Sequence, residues 1–154
     1  MRKLNRTQWL LILGLLVTGF LVYDIPARIT ITTTNSVKYR AFWTSPPDSE
    51  PLKRGMYVRS VKFIDVRGYK AKQYRIVKKI GCMSGEKLFE KNGSYYCNDI
   101  LFCKSLPEKE NFHFAGAIPD ESVFLVGDSR TSYDSRYFGL AKTGEIDALL
   151  KPIF

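Results

Sequence analysis

Val126-Gly127-Asp128-Ser129-Arg130-Thr131-Ser132-Tyr133-Asp134-Ser135-Arg136-Tyr137-Phe138-Gly139 is the stretch on which the reading of this chain turns. It follows the apolar run Val123 to Val126 and closes on the aromatic pair Tyr137-Phe138. Gly127 permits backbone paths that other residues resist. Asp134 and Arg136 are near enough in sequence for a turn to join them by a charge-assisted hydrogen bond. Ser132 and Ser135 carry short hydroxyls able to reach a neighbouring side chain or backbone group. So many residues with specific hydrogen-bonding chemistry, placed directly after a strand-like run, point to a built site rather than a solvated loop.

The totals bound what surrounds it. The chain has 154 residues, enough for one domain once an N-terminal segment is set aside. Apolar residues make up 45%, with ten Phe and nine Tyr, which excludes a disordered chain. The net charge of +9 favours an anionic partner such as a membrane surface. The basic residues are spread through 38–91 among Val, Ile, Phe and Tyr, which reads as solvated strand faces, so no nucleic-acid partner is expected. No internal repeat is visible. Cys82, Cys97 and Cys103 match no zinc spacing, and neither metal nor cofactor is expected. Cys97 can pair with Cys103 or with Cys82 in an oxidising compartment, and spacing does not choose between them. The one histidine, His113, lies between two Phe residues and reads as half-buried and structural, which leaves no ready Ser-His-Asp triad.

The N-terminus places Arg2, Lys3 and Arg6 before an uncharged run from Trp9 to Tyr23. No small-x-small cleavage site follows, and Trp and Tyr stand at the two ends where membrane interfaces favour them. This predicts a retained anchor: residues 1–8 a basic cytoplasmic end, 9–25 a transmembrane segment, and 26–154 a domain on the outer side.

Downstream, the signals are strands and turns. Residues 28–35 alternate and are β-branched, which predicts a strand leaving the membrane. Tyr39 to Trp43 reads as a second strand and Thr44 to Pro51 as a Pro-rich loop. Met56 to Ile64 and Lys72 to Ile80 are further strands, the latter broken by Ser84-Gly85. Lys87 to Cys97 predicts a hairpin about Asn92-Gly93. Residues 104–112 read as a charged loop, Val123 to Val126 as a strand, and Gly144 to Leu150 as a short terminal helix or turn. The fold class is mainly β.

A serine nucleophile without a usable histidine needs another base. A lysine serves if its amine is neutral, and burial in apolar surroundings achieves this by disfavouring the charged form. Lys78, in Tyr74-Arg-Ile-Val-Lys-Lys-Ile80, sits in such a run, while Lys79 points to the opposite strand face.

Taken together, Ser36 after the anchor, Arg54-Gly55-x-x-Val58, Lys78 ahead of Ser84-Gly85-Glu86, and Gly127-Asp128 leading to Ser132-x-Asp134-Ser135-Arg136-x-x-Gly139 stand in the order found in signal peptidase I. The sequence resembles that family, and more closely its TraF-type branch from conjugative transfer systems. The last block carries the most specific match. The resemblance implies a signal-peptidase-like β-fold catalytic domain behind one N-terminal transmembrane helix. It implies Ser36 as nucleophile, Lys78 as general base, Thr34 as an oxyanion-stabilising hydroxyl, and Ser132 as the group that orients the lysine. It implies Asp134 and Arg136 as the pair that braces this loop. The sequence departs from the family's pattern at Lys38 and Arg40, where Pro and, in the TraF branch, Gly are usual. It departs also at Met56 and at Ser84 and Glu86.

The implied activity is that of a membrane-bound serine endopeptidase with a Ser/Lys dyad, its catalytic domain in the periplasm and its anchor in the inner-membrane lipid. Its partner would be a pilin precursor of a conjugative type IV secretion system, or another exported preprotein. General enzymes commonly insert a second β-domain between the lysine block and the last block. Only Lys87 to Ser122 separates them here, which suits a dedicated pilin-maturing enzyme, with or without joining of the pilin ends into a ring. The alternatives are a general signal peptidase I and a non-catalytic anchored β-domain of an envelope secretion machine.

Overall fold

The computed structural model describes residues 5–64 and 72–154. Arg2 and Lys3 of the basic N-terminus lie outside them. The chain begins with helix α1 (Arg6–Gly19), continued by a π-helical segment (Phe20–Asp24) and the single turn α2 (Ile25–Ala27). Asn5 caps α1 by accepting from the Gln8 N–H, and the Gln8 side chain accepts from the Asn5 N–H in return. The helical run Arg6–Ala27 has a mean hydropathy of 2.0 over its most apolar window and buries none of it in the domain, so it is long and apolar enough to cross a membrane.

All remaining sheet pairings are antiparallel. The strands are β1 (Ile29–Ile31), β2 (Ala41–Ser45), β3 (Tyr57–Ile64), β4 (Lys72–Cys82), β5 (Lys87–Lys91), β6 (Ser94–Cys97), β7 (Ile100–Lys104), β8 (Ala115–Ala117), β9 (Ser122–Val126), β10 (Ala141–Lys142) and β11 (Ile146–Pro152). A larger sheet runs β1-β2-β11-β3-β4-β9-β10 and a smaller one β7-β6-β5-β8. The mainly β expectation holds, and the short segment between the lysine strand and the last block folds into a sheet of its own.

Each face of the larger sheet carries a core. Val58, Ile80, Val123, Leu125, Ile146 and Leu149 form one. Val37, Phe42, Ala148 and Leu150 form the other. Leu149 and Leu150 alternate between them because β11 is covered on both sides. A third core of Cys82, Leu88, Tyr95, Cys97, Ile118 and Phe124 joins the two sheets. The Cys82–Cys97 disulfide ties β4 to β6 and leaves Cys103 free.

Four expectations need correction. The strand over 28–35 ends at Ile31; one further rung follows, from the Thr32 N–H to the Arg40 carbonyl, before residues 34–38 bend and turn away from the pairing. The strand placed over Tyr39 to Trp43 is Ala41–Ser45, its register set by Ala41 facing Ile31 and Ser45 facing Leu149. Gly144 to Leu150 is a turn only at its start: Gly144 and Glu145 belong to a 3-10 turn (Thr143–Glu145), and from Ile146 the chain is β11, a central strand hydrogen-bonded to β2 and β3. The His113 side chain is 75% exposed and meets the Glu90 carboxylate at 2.7 Å, so it is a surface group rather than a half-buried one.

The Asn92-Gly93 hairpin turn is present, with both residues at positive φ as a two-residue turn of this hand requires. Asn98 and Asp99 also lie at positive φ and make a second such turn into β7.

Candidate active site

β4 presents alternate residues to opposite faces. Val58 lies directly across from Lys78 in the β3–β4 register, so Lys78 shares the core face with Val58 and Ile80. The lysine is 4% exposed. Its Nζ donates to Ser132 Oγ at 2.9 Å. Burial lowers its pKa below the usual lysine value; the Asp134 charge opposes that shift and the Arg136 charge adds to it. Lys79, on the opposite face, forms a 2.6 Å ion pair with Asp128.

Ser132 is held by the turn after β9. The Asp134 carboxylate caps the short helix α3 (Ser135–Phe138) by accepting from the Arg136 N–H, and it accepts from the Gly127 N–H at 2.7 Å. Arg136 donates to both Asp134 oxygens, through Nε at 2.7 Å and Nη2 at 2.6 Å, with both side chains buried. The same guanidinium reaches the carbonyls of Lys104, Ser129 and Ser132. The Asp134–Arg136 pairing expected from the sequence is therefore formed, and it fixes the turn at both ends. Ser135 Oγ accepts from the Leu125 N–H, tying the turn back to β9.

Ser36 lies on the loop between β1 and β2. Its Oγ is 3.1 Å from Thr34 Oγ1. Its carbonyl accepts from the Ser129 N–H, which docks the loop on the turn after β9. Gly127 makes that docking possible. A Cβ there would stand 2.2 Å from Ser132 Oγ and 2.5 Å from the Ser36 carbonyl oxygen, so only glycine admits both neighbours. Ser36 and Lys78 line one cavity of about 520 Å³, together with Thr32, Thr34, Arg59 and Ile76. Among the described residues no hydrogen bond joins Ser36 to Lys78. In a free enzyme such bonds are often long and tighten when substrate binds.

Sequence reasoning assigned no task to Asp128. Its carboxylate accepts from the Lys38 N–H at 2.9 Å, Tyr57 Oη at 2.7 Å and Lys79 Nζ at 2.6 Å. Burial raises its pKa, and these three bonds more than reverse that, leaving it below the usual carboxylate range. Asp128 thus pins the segment just after Ser36 to β3 and β4. The one local hint was its place beside Gly127. Glu86, one of the departures from the resembled pattern, lies between β4 and β5 and forms an ion pair with Arg54, which precedes β3.

A buried amine below its usual pKa, an orienting hydroxyl and a serine opening on the same cavity can support acyl transfer. Residues 11–154 match the family described as "Signal peptidase, peptidase S26".

The chain belongs to that family.

Signal peptidases of this type are serine peptidases that act on exported preproteins, and the apolar N-terminal helix fits a membrane-anchored member. No curated protein matches the chain. Among solved structures, a signal peptidase I from Enterococcus faecalis V583 is similar at 20% identity with a TM-score of 0.47, covering 66% of this chain and 98% of that one.

Proposed function

We propose that this signal peptidase cleaves its substrate with a Ser36/Lys78 dyad. The observation that carries the reading is the buried Lys78 amine bonded to Ser132 at 2.9 Å beside the cavity that Ser36 also lines. Neutral Lys78 takes the Ser36 hydroxyl proton as Oγ attacks the scissile carbonyl. The developing oxyanion is met by the Thr34 hydroxyl and the Ser36 N–H. Lys78 then hands its proton to the departing amine, leaving an acyl-enzyme on Ser36. A second nucleophile, deprotonated by Lys78, releases the acyl group. Ser132 orients the amine, and Asp134 and Arg136 hold Ser132 in place.

The chain on this reading comprises a cytoplasmic end at 1–8, an inner-membrane anchor at 9–25 and a periplasmic peptidase domain at 26–154. Its substrate is a pilin precursor of a conjugative secretion system. The resemblance of the last block to the TraF-type branch supports this, as does the small size of the sheet between β4 and β9. With water as second nucleophile the pilin is shortened; with the pilin's own amine it becomes a ring.

Removal of signal peptides in general has the family's own chemistry in its favour. Co-expression with a pilin precursor, and separately with a generic secreted precursor, distinguishes the two by intact mass. Shortening of the pilin alone supports the dedicated reading, and a product one water lighter than the shortened chain marks ring closure. Cleavage of the generic precursor at a comparable rate supports the general one.

A further inference from the structure

A second cavity, of about 300 Å³, lies against the Gly127-Asp128 backbone. Its wall includes Arg54, Lys79, Lys104, Arg130 and Arg136, with Asp128 as the single carboxylate among the described residues. Three of these cations are already engaged, Arg54 with Glu86, Lys79 with Asp128 and Arg136 with Asp134. Lys104 and Arg130 have no carboxylate partner among the described residues. They also line the adjoining cavity of about 530 Å³, so they stand where the two hollows meet.

Three of the five cations are balanced by carboxylates, which leaves Lys104 and Arg130 as uncompensated charges on one hollow, and a concave, partly apolar wall concentrates their field. Phe102, Ile80 and Val126 supply that apolar part. Guanidinium forks match phosphate oxygens in geometry, and a lysine ammonium adds a point charge. A tetrahedral anion fits the volume and balances these charges.

We propose that this cavity is a binding site for a phosphate-class anion, with Lys104 and Arg130 as its unpaired cations and Arg54 and Lys79 on its wall. The site is separate from the Ser36 cavity and does not rest on the dyad. The anion is either free phosphate or the headgroup of an anionic lipid.

The test uses the full chain in micelles of a neutral detergent. Thermal unfolding is followed against inorganic phosphate with chloride at matched ionic strength, and against short-chain phosphatidylglycerol with phosphatidylcholine as control. The expected result is a saturable rise in Tm. The apparent Kd should weaken at least tenfold in Lys104→Glu/Arg130→Glu and stay within twofold in Lys87→Glu/Lys91→Glu, which makes the same charge change on β5. Should the first double variant fail to fold, Arg130→Gln alone should weaken binding about threefold or more. A response to phosphate alone supports the site and assigns it to the free anion; a response to phosphatidylglycerol as well supports it and assigns it to the headgroup. No saturable response over chloride and phosphatidylcholine overturns the proposal, and so does an equal loss in the Lys87/Lys91 control.

Discussion

Lys78 Nζ donates to Ser132 Oγ across 2.9 Å in a setting where the lysine is 4% exposed. The two residues are 54 positions apart, and the bond exists because β4 and the turn after β9 are neighbours. It gives the amine a fixed direction while burial favours its neutral form.

The first consequence is a pH dependence. In the proposed dyad only neutral Lys78 can accept the serine proton, and its neutral fraction grows as pH rises through its pKa. That pKa lies below the ordinary lysine value of 10.5 because of burial, with the Asp134 charge opposing and the Arg136 charge assisting. The kcat/KM of the full chain should therefore climb about tenfold per pH unit on the acidic limb and level off below 10.5. A profile that rises only near 10.5 would contradict a buried lysine base.

The Asp134–Arg136 pair is buried on both sides, so removing one partner strands a charge. Arg136→Met should destabilise the domain by about 3–5 kcal/mol, read from chemical denaturation. It should also reduce kcat, because the Ser132 carbonyl loses a contact. A loss under about 1 kcal/mol would place the pair outside the class of buried pairs.

Gly127→Ala forces a methyl group against Ser132 Oγ and the Ser36 carbonyl oxygen. One of those neighbours is backbone, so the loop bearing Ser36 must shift. The expected outcome is a fall in kcat/KM of about 100-fold or more with the fold retained, checked by steady-state kinetics and circular dichroism. Wild-type kinetics in this variant would mean that the close approach has no bearing on catalysis.

Asp128→Ala removes three bonds that fasten the segment after Ser36 to β3 and β4. It should lower kcat by about 10- to 100-fold while Tm changes little. Tyr57→Phe deletes one of the three and should show a smaller fall. Equal effects of the two variants would argue against a shared clamp.

Much of this was readable where the signal is local. Alternation along β4 separates Lys78 from Lys79, and Asn92-Gly93 marks its own turn. The Ser132 to Gly139 block carries enough specific chemistry to stand out. β11 was not readable because Ile-Asp-Ala-Leu-Leu is buried on both faces, and a doubly covered strand loses the alternation that marks a strand. β1 was read too long because Thr32 to Thr34 are β-branched wherever they sit, and the bends and turns over 34–38 carry no glycine or proline to mark them. β7 follows a turn of Asn98-Asp99, a pair that tolerates positive φ without glycine's clear signal. The work of Asp128 rests on partners 90, 71 and 49 residues away, so no local pattern announces it.

The most direct test of the dyad is the intact mass of a precursor incubated with the purified full chain, the Ser36→Ala variant and the Lys78→Ala variant. Wild type should convert the precursor to a shorter product or to a ring lighter by one further water, while both variants should leave it unchanged. Cleavage by Ser36→Ala at the wild-type rate would contradict Ser36 as the nucleophile and with it the central account of the site.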